Sequence, residues 1–381
     1  MAGIRVEVSP KVLSWAAERT GVNLQRKFPH LGEWLSGVAQ PTLRQLEEFA
    51  KVTSVPFGYL FLPEPPEERS PIPHFRTVPQ HMPERLSADL METIQIMQRR
   101  QAWMREYLIE QGHEPVPIVG SASVLEDPSA VARQMCKVLE IGDDWAASQR
   151  TWTEALSALK DKAEDSGILL VTSSIVGNNT RRKLSVEEFR GFVLVDEYAP
   201  LVFINGSDGK AAQMFTLAHE LAHVWLGRSA SFDLRDLQPA LDETEQVCNR
   251  ISAEFLVPGD SLRQFWSMVR EQTYRFQAVA RKYKVSEIVA ARRALDLRLI
   301  ERDEFFYFYE EYQQRERQKR KAEEGGNFYA TQNLRLGQSF GQAVILATRE
   351  GRLLYDEAYR LTGLYGRTFE RYAELVLGGR W

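Results

Sequence analysis

Residues 213–227 read QMFTLAHELAHVWLG and are the most informative stretch of the sequence. Apolar residues recur along it at helical spacing and predict a core helix with one polar edge, namely Met214, Leu217, Leu221 and Val224. His219 and His223 lie one helical turn apart on that edge, so both imidazoles can reach a single metal ion. Glu220 lies about 100° round the helix from His219, within reach of a metal-bound water without being a ligand. The motif alone leaves open the alternative that both histidines are structural.

A third metal ligand is expected in the acidic segment that follows, because a catalytic zinc ion uses three protein ligands and keeps one position open for water. Glu245 is the first choice, and Asn249 lies one turn further on the same helical face, where it can orient a metal-bound imidazole. Glu243 points largely away and is the second choice. Glu254 follows Glu245 by nine positions, about half a turn round, so one helix cannot bring both to one site. A solvated acidic helix end is the alternative for this segment.

The composition of the 381 residues is typical of a soluble protein with two or three domains. Lys and Arg number 48 against 52 Asp and Glu, and the formal net charge of −4 argues against coating nucleic acid through bulk charge. No apolar run reaches the roughly 18 residues that a transmembrane helix needs. The two cysteines, Cys136 and Cys248, exclude a four-cysteine zinc site. We therefore expect a cytoplasmic protein that does not bind membranes.

The first third of the chain predicts helices separated by a linker. Residues 9–62 predict a run of short helices, in which Thr42 and Gln45 have the spacing of a capping box. Five prolines within 62–73 predict an extended linker and a domain boundary, because each fixes φ and removes a hydrogen-bond donor. A long helix follows over 86–111, with Arg99, Arg100 and Arg105 away from its apolar side.

The rest of the chain predicts a mixture of strands and helices. Thr151 and Glu154 form a second capping-box candidate at the start of a helix. Three short apolar runs predict strands, at 168–171, 192–195 and 201–204. Beyond 258 the pattern is helical, with Val285-Ser286 as a turn between two helices over 280–295. A polar helix end or linker is predicted at 313–324, and the last 55 residues form a further helical set.

Six short motifs between 177 and 258 occur in combination: GNNTRR at 177–182, EFRGF at 188–192, FING at 203–206, HELAH at 219–223, Glu245 with Asn249, and AEFLVP at 253–258. Together they resemble the ImmA/IrrE family of zinc metallopeptidases. The resemblance implies that His219, His223 and Glu245 hold the metal and that Glu220 is the general base. It also implies a regulatory protein as substrate, such as a phage, mobile-element or DNA-damage-response repressor, cut in the cytoplasm.

The same resemblance suggests where a peptide binds. It makes the basic triplet Arg181-Arg182-Lys183 and the strand from Phe189 to Val195 candidates for peptide binding by strand addition. Within that strand the candidate residues are Arg190, Phe192 and Val193. For the triplet, a solvated loop is the alternative.

The N-terminal segment resembles the Xre-type helix-turn-helix domain that is often fused to this peptidase, through the motifs G-x-x-QPTL-x-x-L at 37–46 and VP-x-x-YLF at 55–61. Arg26, Lys27 and His30 are the candidate DNA-binding residues, although Pro29 and Gly32 interrupt the expected recognition helix. Residues 1–68 carry seven basic and eight acidic residues, which offers phosphates only a weak basic face. DNA binding and a protein-docking or dimerisation role are both left open.

These patterns predict a mainly helical α+β fold in four parts: an Xre-like helix-turn-helix bundle at 1–66, a linker and long helix at 67–125, a zincin-like peptidase domain with a small sheet at 126–300, and a helical region of unknown role at 301–381. We expect a zinc-dependent endopeptidase that cleaves a repressor or antitoxin, with Mn²⁺ or Fe²⁺ as alternative metals. One alternative is an Xre-type DNA-binding regulator with a structural or vestigial metal site. Another is the toxin or phage-defence component of a two-gene module. A homodimer is also considered.

Overall fold

The computed structural model describes residues 5–18, 24–53, 55–66, 86–142, 144–228, 230–232, 243–319 and 328–378. These residues are mainly helical and carry a small sheet, which confirms the predicted α+β class. Their contacts divide them into two units, and the division falls after Gln95 within the long helix. Most of the predicted proline linker, from residue 67 onwards, lies outside the described residues, as do positions 320–324 of the predicted polar segment.

The first unit is a run of short helices, as predicted for 9–62: α1 Pro10–Glu18, α2 Leu24–Lys27, α3 Leu31–Leu35, α4 Leu43–Thr53 and a 3₁₀ helix Phe57–Phe61. The capping box at the start of α4 is confirmed. The Thr42 amide donates to Gln45 Oε1 (2.8 Å) and the Gln45 amide donates to Thr42 Oγ1 (3.3 Å). Phe28, Trp34 and Phe49 pack edge-on or tilted in the core of this unit, with ring centroids 5.5–6.4 Å apart. The unit therefore has its own aromatic core.

The second unit begins within α5 (Ala88–Glu110) and contains the remaining elements. Its helices are α6 Pro128–Val138, α7 Trp152–Asp165, α8 Lys210–Leu226, α9 Glu243–Leu256, α10 Gly259–Val269, α11 Arg275–Tyr283, α12 Glu287–Asp296, α13 Arg302–Lys319, α14 Phe328–Leu336, α15 Gln338–Arg349, α16 Tyr355–Thr362 and α17 Arg367–Leu377. Its strands are β1 Leu169–Ser173, β2 Ile175–Val176, β3 Asn179–Lys183, β4 Gly191–Leu194, β5 Leu201–Asn205 and β6 Ala230–Phe232.

The main sheet has the order β1-β5-β4-β6, in which β1 is parallel to β5 and β4 is antiparallel to both of its neighbours. The three predicted strands correspond to β1, β4 and β5. The predictions missed β2 and β3, which form a separate hairpin, because β3 is polar and largely exposed and so lacks an apolar signal. β6 was also missed. Helix α8 packs on β4 and β5, so the sheet supports the histidine helix directly.

Two helices of the second unit, α7 and α12, begin at positions that the sequence predicts, and each has a side-chain cap at its N-terminus. The Glu154 amide donates to Thr151 Oγ1 (3.1 Å) at the start of α7. Ser286 follows Val285 in the turn between α11 and α12, and its hydroxyl accepts from the Val289 amide (3.2 Å). Both side chains satisfy an amide that the first helical turn leaves without a partner.

The C-terminal helices pack on β1, the outer strand of the main sheet. α14 and α15 both contact β1, and the backbone of Gly337 between them adopts φ +81°. A Cβ atom at this glycine would lie 2.7 Å from the Leu170 carbonyl oxygen of β1, so the close approach requires glycine. Helices α14 and α15 thus protect an edge that would otherwise be open to pairing.

Arg100 of α5 is buried, in contrast to its predicted place away from the apolar side. Its guanidinium donates to the Leu361 carbonyl (3.0 Å) and to the Arg335 carbonyl (2.7 Å). These carbonyls belong to the last turns of α16 and α14, where helices leave acceptors without an intrahelical partner. One buried cation therefore caps two helix C-termini.

Candidate metal centre

Helix α8 holds the histidines rigidly, because every side chain from Gln213 to Leu226 is buried. The helix ends at Gly227, which adopts the left-handed conformation (φ +65°) as expected for a C-terminal cap. Its last carbonyls also accept from the backbone of the preceding segment, with the Gly120 amide bonded to Val224 (3.0 Å) and the Ala122 amide bonded to Trp225 (2.9 Å). These bonds fix the C-terminal end of α8, the end that carries His223.

The three predicted metal ligands come together between α8 and α9. His219 Nε2 lies 3.1 Å from Glu245 Oε2, and His223 Nε2 lies 3.2 Å from Glu245 Oε1. The two Nε2 atoms lie 3.1 Å apart. Among the described residues this is the group of histidine, cysteine and acidic side chains that could hold a metal ion.

The geometry of this group fits a small tetrahedral ion. Ligand bonds of about 2.0–2.1 Å place neighbouring tetrahedral donors about 3.3 Å apart. The observed triangle of 3.1–3.2 Å needs only a small expansion to reach that spacing. Both histidines are fully buried, whereas 19% of the Glu245 side chain is exposed, so the centre faces solvent on the Glu245 side.

The protonation preferences of the group also suit a cation. Burial lowers the pKa of His219, which favours the neutral imidazole that ligates metals. Burial alone would raise the pKa of Glu245, but hydrogen bonds to both histidines hold it well below its usual range. The group therefore offers a neutral imidazole from His219 and a carboxylate from Glu245, with the His223 nitrogen beside them.

Glu220 lies beside the group and is itself fully buried. Within the described part of the chain, neither of its carboxylate oxygens has a hydrogen-bond partner. Burial, and then the negative charge of Glu245, raises the pKa of Glu220 well above its ordinary value. A buried carboxyl group without a partner is costly to stability, which favours a chemical role over a structural one.

The comparisons with known proteins agree with this geometry. Residues 163–295 match the Peptidase_M78 family model, described as an IrrE N-terminal-like domain. The match begins in the last turn of α7 and ends one residue before the end of α12, so it includes all three candidate ligands and Glu220. It indicates a peptidase and hence a protein substrate. Residues 336–375 match a domain of unknown function, DUF8813. None of the curated proteins matches the sequence.

The residues beside the candidate ligands lie where the helical spacing predicts, and their roles stay predictions. A side-chain hydrogen bond with Asn249 raises the pKa of His219, opposing the effect of burial. Glu243 is exposed, and Cys248 is buried. Glu254 lies outside the centre, where it pairs with Arg293 and accepts from the Gly259 amide (3.1 Å).

Strand addition to β4 of the M78-like domain is not compatible with the structure. Phe192 and Val193 are fully buried in the core. β4 pairs with β5 on one side, and its residues Gly191–Val193 pair with β6 on the other, so no edge is open there. Arg190 forms an ion pair with Asp208 before α8. The prediction that these residues bind peptide by this route is therefore wrong, because an apolar strand pattern does not distinguish a central strand from an edge strand.

The basic triplet at 181–183 lies on β3 of the hairpin rather than in a loop. Arg181 and Lys183 are exposed there. Whether this hairpin contacts peptide stays a prediction.

In the first unit, two of the three candidate DNA-binding residues lie beside acidic groups. Lys27 Nζ is 3.4 Å from Glu48 Oε1, and His30 Nδ1 is 3.2 Å from Glu33 Oε1. Arg26 is exposed on α2. The two acidic neighbours weaken the positive field that phosphate groups would meet.

Of the described helices in either unit, none has the length and apolar character needed to cross a bilayer.

Proposed function

We propose that this protein is a metal-dependent endopeptidase that cleaves a regulatory protein, such as a repressor or an antitoxin. The observation that carries the proposal is the convergence of His219, His223 and Glu245 at 3.1–3.2 Å beside the buried carboxyl group of Glu220. The M78 match over 163–295 supports the same reaction class. Zinc is the metal we propose, because two imidazoles and one carboxylate with an open position form a common catalytic zinc set.

The proposed reaction is hydrolysis of a peptide bond by water. A divalent ion held by His219, His223 and Glu245 supplies a more acidic water and a positive charge near the scissile carbonyl. Glu220 accepts the proton of the attacking water and delivers it to the leaving amine nitrogen. Asn249 keeps the His219 ring in place through its side-chain hydrogen bond.

Glu220→Gln tests this proposal, because it removes the base and keeps the shape of the side chain. We expect the variant to retain one equivalent of metal and to lose cleavage by about 1000-fold or more. The measurement incubates metal-loaded protein with the product of the adjacent gene and maps cut sites by mass spectrometry. Unchanged cleavage by the variant would falsify the assignment of Glu220, and elemental analysis of the same samples identifies Zn²⁺, Mn²⁺ or Fe²⁺.

DNA binding by the first unit is the second candidate function. The order of short helices α1 to α4, with Arg26, Lys27 and His30 on α2 and the turn after it, motivates it. A sequence-selective gel shift that survives Glu220→Gln would support it. Because Lys27 and His30 have acidic neighbours, we expect any such binding to depend only weakly on salt.

The division of the chain into four parts, with boundaries after residues 66, 125 and 300, also remains a proposal.

A toxin or defence role is tested by the growth of cells that express the protein. If the protein has this role, expression of the wild-type chain arrests growth, and His219→Ala, which removes a proposed metal ligand, abolishes the arrest.

A further inference from the structure

Beside Glu220 on α8, Thr216 is a second buried polar residue whose side chain has no hydrogen-bond partner among the described residues. Thr216 precedes Glu220 by four residues on α8, so the two side chains lie on one face of the helix, one turn apart. Both residues are 0–1% exposed. Within the described residues, Thr216 Oγ1 and both carboxylate oxygens of Glu220 have no hydrogen-bond partner. A donor and an acceptor therefore lie one helical turn apart on the same face of α8, and neither has a hydrogen-bond partner among the described residues.

The hydroxyl of Thr216 differs from those of the other buried helical threonines of this protein. Buried Thr side chains in helices usually donate to the carbonyl four residues earlier. Four threonines do so here at 2.7–2.8 Å, namely Thr53, Thr93, Thr348 and Thr362. Thr216 does not make this bond. Its hydroxyl is therefore available to another acceptor.

Gly191 of β4 brings the two side chains against one small area of backbone. A Cβ atom built on Gly191 would lie 2.6 Å from Thr216 Cγ2, 2.9 Å from the Phe203 carbonyl oxygen and 3.2 Å from Glu220 Oε1. The methyl group of Thr216 and the carboxylate of Glu220 are thus both within 3.2 Å of one point above this glycine. Rotation of χ1 to another staggered rotamer places the Thr216 hydroxyl at the position that its methyl group now holds.

We propose that Thr216 is a positioning residue for Glu220: its hydroxyl donates to the Glu220 carboxylate, and Gly191 leaves the space in which this contact forms. This inference rests on the proposed peptidase function for its kinetic consequence. The hydrogen bond aims the carboxylate at the attacking water, and it does not touch the metal or the substrate. Loss of the hydroxyl therefore affects the catalytic step and leaves metal binding intact.

The test compares Thr216→Val, which keeps the shape and removes the hydroxyl, with Thr216→Ser, which keeps the hydroxyl. We expect Thr216→Val to lower kcat by about 10- to 100-fold with KM and zinc affinity unchanged, and Thr216→Ser to retain kcat within about threefold. Thr348→Val is the matched control, since it removes a buried helical hydroxyl of α15 that bonds Val344. Thr216→Ala replaces Thr216→Val if the latter does not fold.

Infrared difference spectroscopy gives a readout that does not need turnover. The band of Glu220, identified by its loss in Glu220→Gln, should shift in Thr216→Val and return in Thr216→Ser. Gly191→Ala should lower kcat as well, whereas Gly209→Ala, where an added Cβ meets no atom within 4 Å, should not.

The outcomes separate this inference from the proposed function. If wild-type protein cleaves its partner and Thr216→Val matches it in kcat and in the Glu220 band, the positioning role is wrong and the peptidase proposal stands. If metal-loaded wild-type protein cleaves nothing, the peptidase proposal fails, and the infrared comparison still decides whether Thr216 contacts Glu220.

Discussion

Glu245 is the residue that joins the two helices of the candidate metal centre, because each of its carboxylate oxygens faces one histidine. We expect Glu245→Ala to lose metal binding and cleavage, since two imidazoles alone leave a zinc ion short of its third protein ligand. The measurement is metal content by elemental analysis after dialysis. Glu243→Ala is the control, because Glu243 is exposed two positions earlier on the same helix and should not affect metal content. One tightly held equivalent of metal in Glu245→Ala would contradict the assignment.

At the level of single residues, what could be predicted follows from helix geometry. The four-residue spacing of His219 and His223 fixes their common face, and the spacing of Glu245 and Asn249 does the same on α9. Thr216 lies at the same spacing from Glu220, so the same rule places these two side chains on one face of α8. No spacing rule links Gly191 to α8, since their contact arises from the packing of β4 against that helix. A glycine in an apolar strand was the only local sign of a close approach.

At the level of elements, the two capped helix C-termini make Arg100 a structural residue. Burial lowers the pKa of Arg100 to about 10, which still leaves it protonated at neutral pH. We expect Arg100→Leu to lower the free energy of unfolding by about 2–4 kcal/mol, because two carbonyls lose a charged donor. Chemical denaturation measures the change, and Arg99→Leu, at an exposed position of the same helix, should change it by less than about 0.5 kcal/mol. Equal losses of unfolding free energy in the two variants would contradict the capping role of Arg100.

Glu164 of α7 gives the C-terminal helices a pH-dependent contact. Its Oε1 accepts from the Gln338 amide (2.9 Å) at the start of α15. Burial raises the pKa of Glu164 to about 7, and hydrogen bonds from the Gln338 and Ser339 amides oppose that rise. Asp161 and Lys160 of α7 also act on it, and Tyr372 of α17 faces it.

Because the folded protein prefers the protonated form of Glu164, this contribution to stability is complete below about pH 4.5 and is lost as pH rises through about 7. Burial lowers the pKa of Lys160 to about 8, so Lys160 stays largely protonated in the folded and unfolded chain up to about pH 7 and adds little slope below that pH. We expect Glu164→Gln to gain about 2 kcal/mol relative to wild type between pH 5 and pH 7. Chemical denaturation of both proteins at each pH measures the difference between their free energies of unfolding. A difference that does not change with pH would contradict the prediction.

Element boundaries were predictable where the chain carries a local signal. Capping residues mark the starts of α4, α7 and α12, and apolar runs mark β1, β4 and β5. The polar strand β3 gave no such signal, and the pairing order of the strands depends on contacts distant in sequence. The burial of Arg100 likewise depends on α14 and α16, more than 200 positions away, so a helical pattern over 86–111 could not predict it.

At the level of the whole molecule, the candidate metal centre lies entirely within the second unit, since all three ligands follow Ile96. Composition and motifs predicted a chain of more than one unit and the position of the peptidase-like part. They did not predict that Phe305 of α13 packs into the same core as α8 and α9. A core of this kind couples elements that sequence patterns assign to separate parts.

Metal binding should therefore stabilise the second unit selectively. A ligand that binds only the folded state adds RT ln(1 + [L]/Kd), or about 4 kcal/mol at 1000 times Kd. We expect Zn²⁺ to slow amide hydrogen exchange in α8 and α9, because the ion ties the two helices together, and EDTA to reverse the effect. Helices α1 to α4 belong to the first unit and serve as the internal reference, with exchange unchanged. Glu245→Ala should abolish the response in α8 and α9. Equal protection of both units by Zn²⁺, or protection that persists in Glu245→Ala, would show that the ion binds somewhere other than between these two helices.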